Sequence, residues 1–156
     1  MRSKDDGLSW ATVGGLTEGG FRSLACLGGG VVVAGNQNGG LWRSVNSGDS
    51  WTRLLSDGSN CRCMCVTPES HIYLGHRDGY QTPGYIWKSV DGGATWKELP
   101  SAGKALWESC CSDEEGGVYF VTEYGFPIAS LDEGVTWVTC NLAGSRSWRV
   151  CEPLPQ

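Results

Sequence analysis

A chain of 156 residues and 16.8 kDa has room for one compact domain or one arc of a larger ring, which excludes a large multidomain enzyme. Twenty-four glycines and eight tryptophans against 19% charged residues describe a turn-rich, all-β body with an aromatic core. The formal net charge of -5 and pI ≈ 4.9 set the summed field against a phosphate backbone, so no nucleic-acid partner is expected.

The first seven residues, Met1 to Gly7, lack the apolar run of a secretory signal, and no stretch reaches the ~20 apolar residues of a membrane helix. The expectations are cytoplasmic synthesis without a signal peptide and no membrane insertion. Residues 3–10 then introduce a pattern, Ser-x-Asp/Asn-x-Gly-x-Ser/Thr-Trp, that returns at Ser44, Ser89 and Ser130, spaced 41, 45 and 41 residues apart. Its fixed positions are Asp5, Gly7 and Trp10; Asn46, Gly48 and Trp51; Asp91, Gly93 and Trp96; and Asp132, Gly134 and Trp137. These residue types suit a hairpin tip. The Asp or Asn side chain accepts hydrogen bonds from its own turn, Gly takes the positive-φ position, and Trp drops a large apolar body between neighbouring sheets.

A strand-like segment begins 11, 10, 11 and 11 residues after each of these tryptophans, at Phe21, Cys61, Trp107 and Trp148. In the three complete repeats a turn leads on to apolar runs at 31–35, 72–75 and 118–122, and a third run enters the next loop. Each unit is therefore four short antiparallel strands. Repetition every ~40 to 45 residues with turns between is the pattern of β-propeller blades. The repeat resembles the Asp-box, or bacterial neuraminidase, repeat of sialidases and of many non-enzymatic propellers. That resemblance covers essentially the whole chain and implies a fold, not a reaction.

The fold expected is a single domain, 1–156: an all-β, small β-propeller of about four blades. Three are complete, at approximately 21–57, 61–101 and 106–142, and a reduced fourth is made from both termini, 1–15 plus 148–156. Phe21 and Trp107 each lie 23 residues before the next Ser-x-Asp/Asn loop, whereas the termini together supply 11, one strand short of a blade. Three outcomes stay open: closure within one chain, blades shared by two chains, or a partner's strand added at the unpaired edge. A protein partner or self-association through this incomplete blade is the expectation.

The second position of the innermost strand carries Arg22, Arg62, Glu108 and Arg149. The resemblance implies that arginines from several blades hold a substrate carboxylate, which makes Arg22, Arg62 and Arg149 candidates for binding an anion or glycan. The family's first arginine stands in an Arg-Ile-Pro context, which Arg22-Ser23-Leu24 and Arg62-Cys63-Met64 do not match. The competing reading pairs these arginines with Glu108 as blade-to-blade ion pairs. Hydrolysis by a sialidase-like route also needs an activated Tyr and an Asp acid/base in one cleft, and no catalytic residue is assigned. The long second-repeat loop carries Arg77, Tyr80 and Tyr85, a candidate contact surface, and His71 and His76 are expected at the surface.

Six of the eight cysteines fall on inner strands: Cys61, Cys63 and Cys65, then Cys110 and Cys111, then Cys151 aligned with Cys110. They are expected to be packed thiols. Alternating cysteines on a strand place their sulfurs ~6.5 to 7 Å apart, unlike a Cys-x-x-Cys zinc knuckle, so neither metal nor cofactor is assigned. The sequence reads as a non-enzymatic structural or protein-interaction module, such as a component of a virus particle, phage included. A carbohydrate-binding, sialidase-like module is the alternative.

Overall fold

A computed structural model describes residues 1–16, 18–56, 60–79 and 81–140. Tyr80, Trp148, Arg149, Cys151 and the C-terminal share of the fourth blade lie outside the described residues. Strands β1 (Phe21–Cys26), β2 (Val32–Asn36), β3 (Gly40–Ser44) and β4 (Thr52–Ser56) form the first antiparallel sheet, in sequence order. Strands β5 (Asn60–Val66), β6 (Ile72–Arg77), β7 (Ile86–Ser89) and β8 (Lys97–Leu99) form the second, and β9 (Trp107–Ser112), β10 (Val118–Thr122), β11 (Ile128–Ser130) and β12 (Val138–Thr139) the third. The described helix amounts to two single-turn 3-10 segments, Gly28–Gly30 and Pro100–Ala102. The protein is thus nearly all-β, with three four-stranded blades of a small propeller.

The first strands of the blades, β1, β5 and β9, stand side by side, which makes them the inner strands of the arc. Hydrogen bonds tie them together: Ser23 Oγ donates to Cys61 O at 2.9 Å, and Ser112 Oγ to Val66 O at 2.6 Å. Between the first and second blades lies a core of Ala25, Val33, Leu41, Cys61, Ile72 and Leu74. Between the second and third lies another, built on Cys63, Tyr73, Ile86, Trp107, Val118 and Phe120. Each fully buried large side chain here contributes about 2 to 3 kcal/mol of transfer free energy. Both faces of the middle blade are covered, which is why every residue of β6 is buried.

The closeness of the blades sets one residue choice. A Cβ on Gly75 would meet Cys63 Sγ at 2.5 Å and Trp107 Cβ at 2.8 Å, so any side chain at this point of β6 would push the third blade away. Before β1, the N-terminal segment forms a single antiparallel bridge, Arg2 with Ala11, around the first loop.

The four loops share one geometry. In each, Ser Oγ donates to the Asp or Asn Oδ1 and accepts from the glycine N-H: in the second, Ser44 to Asn46 at 2.9 Å and Gly48 to Ser44 at 2.8 Å. The carboxamide or carboxylate oxygen accepts the amide of Ser9, Ser50, Thr95 or Thr136 at 2.8 to 2.9 Å. The indole N-H donates to the loop's own glycine carbonyl, at 3.1 Å for Trp10, Trp51 and Trp96 and 3.2 Å for Trp137. Positive φ falls on two successive residues, Asp6 and Gly7 (55° and 87°), Ser47 and Gly48 (57° and 84°), Gly92 and Gly93 (66° and 81°), and Glu133 and Gly134 (59° and 86°). Two consecutive residues in the left-handed region give a type I′-like turn, which follows the twist of the flanking strands.

One expectation at these loops needs correcting. Trp96 and Trp137 pack against the cores between blades, but Trp10 is 60% exposed. It precedes the first complete blade, and among the described residues no blade stands on its other side.

Candidate functional site

Each inner strand carries a β-bulge near its start, at the second residue of β1 and β9 and the third of β5. Phe21 pairs with Asn36 and Ser23 with Gly35, Cys61 with His76 and Cys63 with Gly75, Trp107 with Thr122 and Ser109 with Val121. Arg22, Arg62 and Glu108 are therefore the extra residues, and a bulge turns such a side chain out of the regular alternation. Their partners differ. Arg22 donates to Gln37 Oε1 through Nε at 3.0 Å and Nη2 at 2.6 Å. Arg62 donates to Glu108 Oε2 through the same two nitrogens, at 3.0 and 2.6 Å, across the boundary between the second and third blades.

Glu108 also receives Arg77 on its other oxygen, and Arg77 donates to Trp107 O from Nε at 3.0 Å and from Nη2 at 2.8 Å, with Glu123 3.6 Å from Nη1. The sequence puts Arg77 on an exposed contact loop. It is instead 3% exposed, at the last position of β6. Burial of this cation is possible because a carboxylate and a backbone carbonyl of the next blade meet it, satisfying charge and donors together. The structure thus joins Arg62 and Arg77 through Glu108 and leaves Arg22 apart on a neutral amide. Tyr85 is half-buried, with Lys104 Nζ 4.8 Å above its ring.

A second feature went unread in the sequence. The residue just before three of the four loop serines reaches the following blade's loop: Arg2 to Ser47 O and the Asp49 carboxylate, Arg43 Nε to Gly92 O at 2.7 Å, Lys88 Nζ to Glu133 O at 3.1 Å and Glu133 Oε2 at 3.0 Å. A basic residue at this position in three of four repeats was the available signal. In the third blade the position holds Ala129.

His71 is half-buried, its Nδ1 3.9 Å from Glu133 Oε2. His76, expected at the surface, is buried and stacks on Trp87 with ring centroids 4.5 Å apart, because β6 continues through it as an interior strand. Cys26, Cys63, Cys65, Cys110 and Cys140 are free thiols and Cys61 is buried in the core between the first two blades, whereas Cys111 is disulfide-bonded, which corrects the expectation of thiols at that position. Burial, with the Cys63 and Cys65 sulfurs alongside, pushes the Cys110 thiol well above its usual range, so it stays protonated. Among the described residues no group of three or more His, Cys, Asp and Glu side chains is arranged to hold a metal ion.

Two cavities open on the described surface. One, of 510 Å³, lies between the N-terminal segment and the first blade, against Val13, Leu16, Phe21, Leu24, Val32 and Trp51. The other, of 560 Å³, lies between the third and fourth loops, with Trp96, Leu99, Val135, Lys88, Glu98 and Glu133 on its walls. No described helix is long and apolar enough to cross a membrane.

No protein-family model matches the chain, and no curated protein does. Solved structures do. YCF48 from Cyanidioschyzon merolae matches 81% of this chain at 14% identity with a TM-score of 0.65. A GH74 enzyme of Niastella koreensis matches 77% at 16% identity and a TM-score of 0.64, and a Hadza microbial sialidase 81% at 17% and 0.51. The chain spans only 38%, 22% and 38% of those three chains. At such identities the likeness shows architecture alone, and it shows that these blades are those of a β-propeller.

Proposed function

We propose that this chain is an Asp-box propeller acting without catalysis, as a structural or protein-interaction module in an assembly such as a virus particle. The observation that carries the reading is the Arg62-Glu108-Arg77 network. The cations nearest one another at the bulged inner strands are spent on holding two blades together, so the inner rim works as a brace. A related architecture takes a peptide, since YCF48 has been solved bound to the D1 peptide. That precedent makes a protein or peptide partner the natural ligand class for a rigid arc of blades.

One observation favours a second reading. Arg22 is exposed and, among the described residues, bonded to the neutral amide of Gln37 rather than to a carboxylate, a setting that suits an anionic sugar. The test is an NMR titration with sialyllactose and with a xyloglucan oligosaccharide, beside a hydrolysis assay on both and the Arg22→Glu variant. The interaction-module reading expects no hydrolysis and no shift at Arg22 or Arg62. Saturable shifts lost in Arg22→Glu establish the glycan reading, and turnover establishes an enzyme.

A further inference from the structure

Cys110 and Cys111 are adjacent on β9, so their side chains leave the strand on opposite faces. Cys110 pairs with Phe120 and joins it in the core between the second and third blades, with Cys63 and Cys65 alongside. Cys111 pairs with Tyr119 and therefore belongs to the other face of the third blade, the one turned away from the second. There it is disulfide-bonded. No other described cysteine serves as its partner. Cys26, Cys63, Cys65, Cys110 and Cys140 are free thiols, and Cys61 sits in the core between the first and second blades. The chain has eight cysteines, and the one left is Cys151, outside the described residues.

The repeat leads to the same residue by a separate route. Counted from Phe21, Cys61 and Trp107, the fifth residue of one inner strand meets the fourth residue of the next. Ala25 and Met64 share the core between the first and second blades. Cys65 lies beside Cys110 at the boundary between the second and third. Trp148 opens the fourth repeat, 11 residues after Trp137, as Trp107 stands 11 after Trp96. The same step taken once more joins Cys111, the fifth residue from Trp107, to Cys151, the fourth from Trp148.

We propose that Cys111 is bonded to Cys151 and that this bond fixes residues 148–152 beside β9 as the inner strand of the fourth blade. The proposal goes beyond the interaction-module reading and stands whether or not that reading does. Forming the bond removes two electrons from the two thiols, and a small disulfide such as oxidised glutathione accepts them. One cysteine thiolate attacks a sulfur of the small disulfide and releases one glutathione; the second cysteine thiolate displaces the other. The two protons of the cysteine thiols end on the two glutathione thiols released. Excess thiol runs the same steps backwards, so attachment of the last strand depends on the redox state of the surroundings. Burial keeps the neighbouring Cys110 out of the exchange.

The test is peptide mapping of the full chain, equilibrated with oxidised glutathione and then alkylated with N-ethylmaleimide. Trypsin with glutamyl endopeptidase places Cys110 and Cys111 in residues 109–115, Cys140 in 134–146 and Cys151 in 150–156. The expected result is 109–115 linked to 150–156 in protein that runs as a monomer without reductant. The link should persist in Cys110→Ser and vanish in Cys111→Ser. A control moves the thiol by one place, with Val150→Cys in a Cys151→Ser background. Successive residues of a strand face opposite ways, so linkage to Cys111 should fall roughly tenfold in the same glutathione buffer. A link from Cys111 to Cys140 or to a second chain overturns the pairing, as does an alkylated Cys111 in the oxidised protein. Equal linkage from positions 150 and 151 overturns the placement of the strand.

Discussion

Glu108 accepts two hydrogen bonds from Arg62, at 3.0 and 2.6 Å, although the two residues belong to different blades and lie 46 positions apart. The pair exists because both residues are bulged out of their strands, and Arg77 completes it from the interior. Removing Glu108 takes the nearest carboxylate from the buried Arg77 guanidinium, a loss of about 3 kcal/mol for Glu108→Ala by analogy with broken buried pairs. Arg22→Ala, at an exposed bond to Gln37, changes stability by less than about 1 kcal/mol. Urea unfolding of both variants measures the contrast, and equal costs would contradict the brace.

The loop carboxylates give stability a pH dependence at the acid end. Hydrogen bonds from the Thr95 hydroxyl and amide, with one from Ser89, lower Asp91 from 3.8 to about 2, and the Ser9 hydroxyl and amide, with Ser3, lower Asp5 likewise. Asp132 shifts in the same direction through Thr136. A carboxylate depressed in the folded state contributes fully above its unfolded value of 3.8, and that contribution is lost as pH falls through about 2. The melting temperature should therefore drop between pH 4 and pH 2. Asn46 shows that an amide fits the same loop, so Asp91→Asn and Asp132→Asn together should flatten that drop. An unchanged slope in the double variant would show that the loops do not carry it.

Two glycines with the same backbone should respond differently to alanine. Gly7 (φ +87°) faces open space, so Gly7→Ala costs only the left-handed strain, about 1 kcal/mol. Gly93 (φ +81°) faces the buried Val33, so Gly93→Ala adds overpacking and costs about 3 kcal/mol. Thermal unfolding of the pair reads the difference, and equal shifts would mean that the second loop in question does not lie on the first blade.

Thiol labelling should divide the cysteines into classes. Cys26, exposed at the end of β1, reacts first with a disulfide reagent at neutral pH, and half-buried Cys140 follows. Cys61, Cys63, Cys65 and Cys110 are buried and react only after denaturant is added. Mass spectrometry of the labelled peptides gives the order. Fast labelling of Cys110 in native protein would contradict the packing between β5 and β9.

The blades were legible because the repeat states the same solution four times: Ser44, Asn46, Gly48 and Trp51 are hard to read as anything but a closed loop once Ser89 to Trp96 says it again. What stayed hidden depended on partners far away in sequence. Arg77 reads as loop because charge beside Asp78 and Gly79 looks solvated, and its partners at Trp107 and Glu108 lie 30 and 31 residues on. The bulges at Arg22, Arg62 and Glu108 leave no residue signature of their own, since a bulge appears only when the opposite strand is laid alongside. The basic residues Arg2, Arg43 and Lys88 were legible in principle. They precede the loop serine in three repeats, and they acquire meaning once blades are stacked.

Stacking of look-alike blades, the second, third and fourth loops each lying on the unit before it, is the claim on which the rest depends. Isotope-edited NOE spectroscopy tests it most directly on the methyl groups of Val33 and Leu99. Cross-peaks from Val33 to the Gly93 α-protons and from Leu99 to those of Gly134 are the expected result. A folded protein in which both are absent would contradict the architecture.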